Sequence, residues 1–108
     1  MISTRTPTIS NAFTVECWFR WDGGNSHAYD YQVVAGRRSL NSLLEWDIYI
    51  QESTRRIGAG VSRTGQFSNA TWLESGNNAV STGTWLHCAL VGTGSNYYLY
   101  INGTRVAT

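Results

Sequence analysis

A two-residue Asn102-Gly103 link separates two runs rich in strand-forming residues, Tyr97 to Ile101 and Thr104 to Thr108. An Asn-Gly pair is the preferred type I′ hairpin turn, because both residues tolerate positive φ and the turn's twist matches that of its flanking strands. Just upstream, Leu86, Cys88 and Leu90 alternate with Trp85, His87, Ala89 and Val91 until Gly94, Ser95 and Asn96 interrupt the run. Side chains on a strand point to opposite faces with period two, so the last quarter of the chain is predicted to be three antiparallel strands joined by two turns.

The same period recurs earlier. Phe13, Val15, Cys17, Phe19 and Trp21 share one face, with Thr14, Glu16, Trp18 and Arg20 on the other. Asp22 to His27 is a loop by composition, Tyr31 to Ala35 a short strand ending at Gly36, and Arg37 to Ser42 a turn. Leu44, Trp46, Ile48 and Ile50 alternate with Glu45, Asp47, Tyr49 and Gln51, which predicts a strand with Glu45 and Asp47 on its wet side. After a turn near Glu52 to Arg55, Ile57, Ala59 and Val61 repeat the pattern. Gly65 to Asn78 reads as a long loop with one strand through Ala70 to Leu73. No segment holds a helical period, and seven or eight short strands at close spacing indicate an all-β sandwich.

Length and composition narrow the classes. The 108 residues suit one domain, 1–108, able to bury about 60 to 70% of its unfolded surface. Eleven glycines against one proline fit many tight turns. A formal net charge of +1 supplies no basic field for a phosphate backbone, so nucleic acid is not an expected partner. No apolar run approaches the roughly 18 residues of a membrane-spanning helix. The first ten residues are polar and lack the apolar stretch of a secretory signal. All eight basic residues are arginines, but the pairs at 37/38 and 55/56 point to opposite faces if they lie on strands and form no single patch.

Two segments carry a family resemblance. Trp85-x-His87, a polar glycine turn, and then Leu99-Tyr-Ile-Asn-Gly103 followed by Val106 and Ala107 resemble the laminin G-like jelly-roll domains of the concanavalin A-like lectin/glucanase superfamily. Phe13-Thr-Val-Glu-Cys-Trp-Phe-Arg-Trp-Asp22 looks like the opening strand of those domains. The resemblance covers residues 13–108 and implies an antiparallel two-sheet jelly-roll sandwich. It is specific for fold, whereas the family binds many different things. Strands that normally follow the Asn-Gly hairpin in such domains are missing here, so an incomplete sandwich is expected, its open edges covered by self-association or by a neighbouring chain.

The resemblance also bears on the cysteines. In pentraxins, which belong to the same superfamily, a disulfide joins the two strands that correspond to those carrying Cys17 and Cys88. Each cysteine is displaced by one position here, in opposite senses, which preserves register in an antiparallel pair. The two would then be cross-strand neighbours, with a Cα separation of about 4.5 Å in a non-hydrogen-bonded pair, within disulfide range. The alternative is two buried free thiols acting as small apolar residues.

Reactive chemistry has little support. Glu45-Trp-Asp47 resembles the start of the Glu-x-Asp-x-x-Glu strand of laminarinases and lichenases, yet the third acidic position is Ile50, which cannot protonate a leaving group. His27 falls in a polar loop and His87 where the family has a packing histidine. No Cys/His spacing fits zinc. Calcium, bound by many laminin G-like domains, would have Asp22, Asn25 and Asp30 as oxygen donors, although they lack the spacing of a dedicated loop. Asn69-Ala-Thr71 and Asn102-Gly-Thr104 fit the glycosylation pattern.

Aromatic residues on the wet faces are the stronger signal. Trp18 with Arg20 beside it, and Tyr98 and Tyr100 on a later strand, could offer ring faces to sugars or to a protein surface. The expected function is noncatalytic binding or adhesion toward a glycan or protein surface, outside the cell or on a virion. The alternative is a structural or decoration subunit of such an assembly, completed by neighbouring chains.

Overall fold

The computed structural model describes residues 12–23, 30–39 and 43–108. Asn25 and His27 lie outside them. Eight strands follow in order: β1 Ala12–Arg20, β2 Tyr31–Ser39, β3 Leu43–Gln51, β4 Arg56–Val61, β5 Thr71–Glu74, β6 Trp85–Thr93, β7 Tyr97–Ile101 and β8 Thr104–Ala107. A short 3₁₀ turn, Phe67–Asn69, is the one helical element among the described residues. The strands form two four-stranded antiparallel sheets, a front sheet ordered β1-β6-β7-β8 and a back sheet ordered β2-β3-β4-β5.

Alternation explains the stacking. Leu86, Cys88 and Leu90 of β6 and Leu99 of β7 point toward Ile48, Ile57 and Ala59 of the back sheet, and all are buried in one cluster. Val80, in the segment before β6, joins this cluster, and its N–H donates to the Arg55 carbonyl at 3.1 Å, which ties the β5–β6 connection to the back sheet. Each fully buried aliphatic side chain contributes about 1.5 to 3 kcal/mol relative to exposure.

The Asn102-Gly103 hairpin has φ of 50° and 82°, as a type I′ turn requires. Asn102 adds a second function: its Oδ1 accepts the His87 N–H at 3.0 Å while its own N–H donates to the His87 carbonyl at 2.8 Å. His87 therefore turns its backbone toward β7, and by alternation Leu86, Cys88 and Leu90 turn theirs toward β1. Cys17 and Cys88 are directly opposed in the β1–β6 register. They form a hydrogen-bonded pair, not the non-hydrogen-bonded one expected, so their Cα separation is about 5.5 Å, still within bridging range.

Two strand readings need correction. β2 does not stop at Gly36 but runs to Ser39, with register shifts at Val33/Ala35 and Arg37/Arg38. Such bulges break the side-chain alternation while keeping the strand paired. Gly36 marks close approach, since a Cβ there would lie 2.8 Å from the Asp47 Cβ. The second correction concerns Asp47, expected on a wet face but completely buried. It points outward from β3, yet Trp72 of β5 folds across the backbone of Gly60, and the Gly60 N–H donates to Asp47 Oδ1 at 3.0 Å. Tyr49 likewise crosses Gly58, and its hydroxyl donates to Glu74 Oε2 at 3.0 Å. Two glycines in β4 thus leave room for an aromatic roof over the back sheet.

A Cβ at Gly60 would sit 2.5 Å from the Trp72 ring and 3.0 Å from Asp47 Oδ1. Gly60→Ala is expected to lift Trp72, wet Asp47 and destabilise the domain by about 1 to 3 kcal/mol, measured by denaturant unfolding. An unchanged midpoint would show that the roof carries no weight.

Candidate functional site: the outer face of the front sheet

The residues of β1, β6, β7 and β8 that turn away from the core form one surface. Cross-strand register sets Arg20 beside Trp85, Trp18 beside His87, Glu16 beside Ala89, Ala89 beside Tyr100 and Tyr100 beside Arg105. Trp18 and Trp85 are 65% and 59% exposed, which is unusual for indoles on a regular sheet. His87 is held between strands with its ring 5.2 Å from that of Trp18 at 61°, and its Nε2 lies 3.7 Å from Glu16 Oε2. The Arg20 guanidinium stands 5.7 Å from the Trp85 ring and meets Asp22 through Nε at 2.8 Å and Nη2 at 3.1 Å. On the far side, Arg105 lies 5.3 Å from the ring of Tyr98.

All four residues singled out from the sequence, Trp18, Arg20, Tyr98 and Tyr100, occupy this face. They divide into two groups, because Ala89 and Val91 of β6 lie between the β1 residues and the half-buried tyrosines of β7. The β1–β6 half is the more open. Trp85 and His87 belong to it and were missed as binding candidates. Their phase, opposite to Leu86, Cys88 and Leu90, was the available signal.

The other candidates are committed elsewhere. The Asp22 carboxylate meets Arg20. Asp30 accepts from the Ser53 hydroxyl and the Ser53 N–H, and the hydroxyl bond holds its pKa below the usual carboxylate value. Among the described residues no group of three or more acidic, histidine or cysteine side chains is arranged to hold a metal ion. Glu45 pairs with Arg37 Nε at 3.0 Å, Asp47 is sealed under Trp72, and Ile50 is in the core. Arg56 reaches Glu74 at 3.5 Å and Asn77 Oδ1 at 2.7 Å.

Behind the face, the Cys17 and Cys88 sulfurs lie 3.3 Å apart as free thiols. A disulfide would bring them to about 2.05 Å. The hydrogen bond from Cys88 lowers the Cys17 thiol from 9.0 to about 7, against an opposing effect of burial. Donating that bond, together with burial, pushes the Cys88 thiol up.

Two stacked antiparallel four-stranded sheets are the architecture of a concanavalin A-like sandwich. The chain belongs to the Laminin_G_3 family of the concanavalin A-like lectin/glucanases superfamily, whose family model matches residues 2–108. Laminin G-like domains are generally noncatalytic binding domains. No curated protein and no solved structure matches the chain.

Because the thiolate is the nucleophile, iodoacetamide should alkylate Cys17 in the folded chain at a rate that rises with pH through about 7 and levels off above it. Cys88 should react only after unfolding. Peptide mass mapping checks this, and a chain refractory to alkylation until reduced would instead show a bond between the two.

Proposed function

We propose that this domain is a noncatalytic glycan-binding module and that the β1–β6 half of the front sheet is its contact surface. The observation that carries the reading is the pair of exposed indoles, Trp18 and Trp85, on adjacent strands with polar groups at their edges. A sugar ring presents an apolar C–H face and a rim of hydroxyls. The indole faces suit the first; Glu16, His87 and Arg20 supply acceptors and donors for the second. Two exposed indoles close together on one sheet surface make the kind of apolar patch rimmed by polar groups that marks a ligand-binding site. A protein surface with an apolar ridge fits the same chemistry less well, because Glu16 and Arg20 interrupt the apolar area. Such a module would act outside the cell or on a virion, where glycans are displayed.

The back sheet supports a lesser claim. Tyr31, Val33 and Trp72 are exposed there, but Tyr31, Tyr49 and Trp72 meet edge to face at 5.4 and 6.0 Å, so their rings are spent on one another.

A glycan array with the parent chain should show selective binding. Trp18→Ala and Trp85→Ala should each weaken it about tenfold or more while leaving the unfolding midpoint nearly unchanged, since neither side chain is in the core. Binding unaffected by both substitutions, or an array without hits, would contradict the assignment.

A further inference from the structure

The charges on the front face are unevenly placed. Two carboxylates, Glu16 and Asp22, and one guanidinium, Arg20, stand near the indoles, while Arg105 lies at the opposite margin on β8. The Arg20 charge is cancelled where it sits: Asp22 meets it through two nitrogens at 2.8 and 3.1 Å, and N–H donors remain for other acceptors. Glu16 has no such partner. Its side chain is 64% exposed, and among the described residues its one ionic contact is His87 Nε2 at 3.7 Å, beyond hydrogen-bond reach.

Distance decides which charges a ligand on the indoles feels. Glu16 and Trp18 are two residues apart on one face of β1, about 6.6 Å at 3.3 Å per residue, which is inside the Debye length of about 8 Å at physiological ionic strength. Arg105 shares a cross-strand row with Glu16 through Ala89 and Tyr100. Three inter-strand steps of about 4.8 Å set the two backbones roughly 14 Å apart, and both side chains are in solvent, so Arg105 is screened from Glu16. Its guanidinium is turned to the Tyr98 ring at 5.3 Å. With His87 neutral, the indole half of the face is left with one uncompensated negative charge, and it lies beside Trp18, the more exposed of the two indoles.

That charge discriminates between sugars. A hydroxyl donates to an ionised carboxylate, which accepts at both oxygens. A carboxylate or sulfate carried on the same ring meets a like charge, and the neighbouring guanidinium, already paired with Asp22, supplies no net attraction.

We propose that Glu16 makes this face selective for sugars that carry no acidic group, and that Asp22 is a positioning residue that stops Arg20 from reversing the selection. The inference rests on the glycan assignment and adds the chemical class of the ligand. Neutral hydroxylated rings are accepted, while uronates, sialic acids and sulfated sugars are rejected.

Two measurements at pH 8, where imidazoles are neutral, test this. The first needs no sugar. Iodide, caesium and acrylamide quench exposed indoles by collision, so the two ions report the local charge and acrylamide the access. At constant ionic strength, Glu16→Gln and Asp22→Asn should each raise the ratio of iodide to caesium quenching about 1.5-fold or more, with acrylamide quenching unchanged. A ratio that neither variant moves would overturn the inference whether or not any sugar binds. The second is an array of matched pairs: galactose oligomers with galacturonate oligomers, and lactosamine chains with and without terminal sialic acid or sulfate. The parent should bind the neutral members it recognises about tenfold or more tighter than their acidic counterparts. Each substitution should narrow that gap to about threefold, mainly by admitting the acidic sugar. Neutral and acidic members bound alike by the parent, or a gap unmoved by both substitutions, would overturn this inference while leaving the glycan assignment in place. An array without hits would overturn both.

Discussion

The structure rests on the contact between the two inner sheet faces, where Leu90 and Leu99 of one sheet and Ile48 and Ala59 of the other are buried in one cluster. Because side chains alternate with period two, a slip of one residue in any pairing would carry a strand's whole apolar set into water. That penalty fixes the register, and the register fixes everything on the outside. Trp18 stands beside His87, and Arg20 beside Trp85, because Cys17 and Phe19 must stand inward beside Cys88 and Leu86. The outer face proposed for glycan contact is therefore a consequence of the core.

The two outer faces arise from one rule and end differently. On the back sheet, Gly58 and Gly60 leave no side chains over β4, so Tyr49 and Trp72 lie down across it and close over Asp47. On the front sheet, the corresponding rows hold His87 and Ala89. His87 meets Trp18 edge-on and leaves the indole upright and exposed. Glycine in one central strand turns aromatics into a roof, while larger residues in the other leave them exposed.

This also explains what could be read from residues alone. Strands with strict alternation and turns with demanding backbone angles are legible: β6 to β8, the Asn102-Gly103 turn, and the outward aspect of Trp18, Arg20, Tyr98 and Tyr100, whereas the opposition of Cys17 to Cys88 follows only from the resemblance to pentraxins. Alternation reports only which side of a sheet a residue takes. It carries no information about what lies above that side, which is why it puts Asp47 in water and does not single out the exposure of Trp85. The full length of β2 is not legible because its two bulges scramble the period, and Gly36, which resembles a strand end in sequence, is a close contact with β3. Asn102 was recognised for its turn but not for its bonds to His87, since those depend on tertiary placement.

Hydroxyl-radical footprinting read by mass spectrometry tests the division into inner and outer faces most directly, because indoles oxidise in proportion to their contact with water. Trp18 and Trp85 should be modified fastest and Trp46, which is 4% exposed, should be protected. Rapid oxidation of Trp46, or protection of Trp18 and Trp85 in the monomeric, ligand-free chain, would contradict the account.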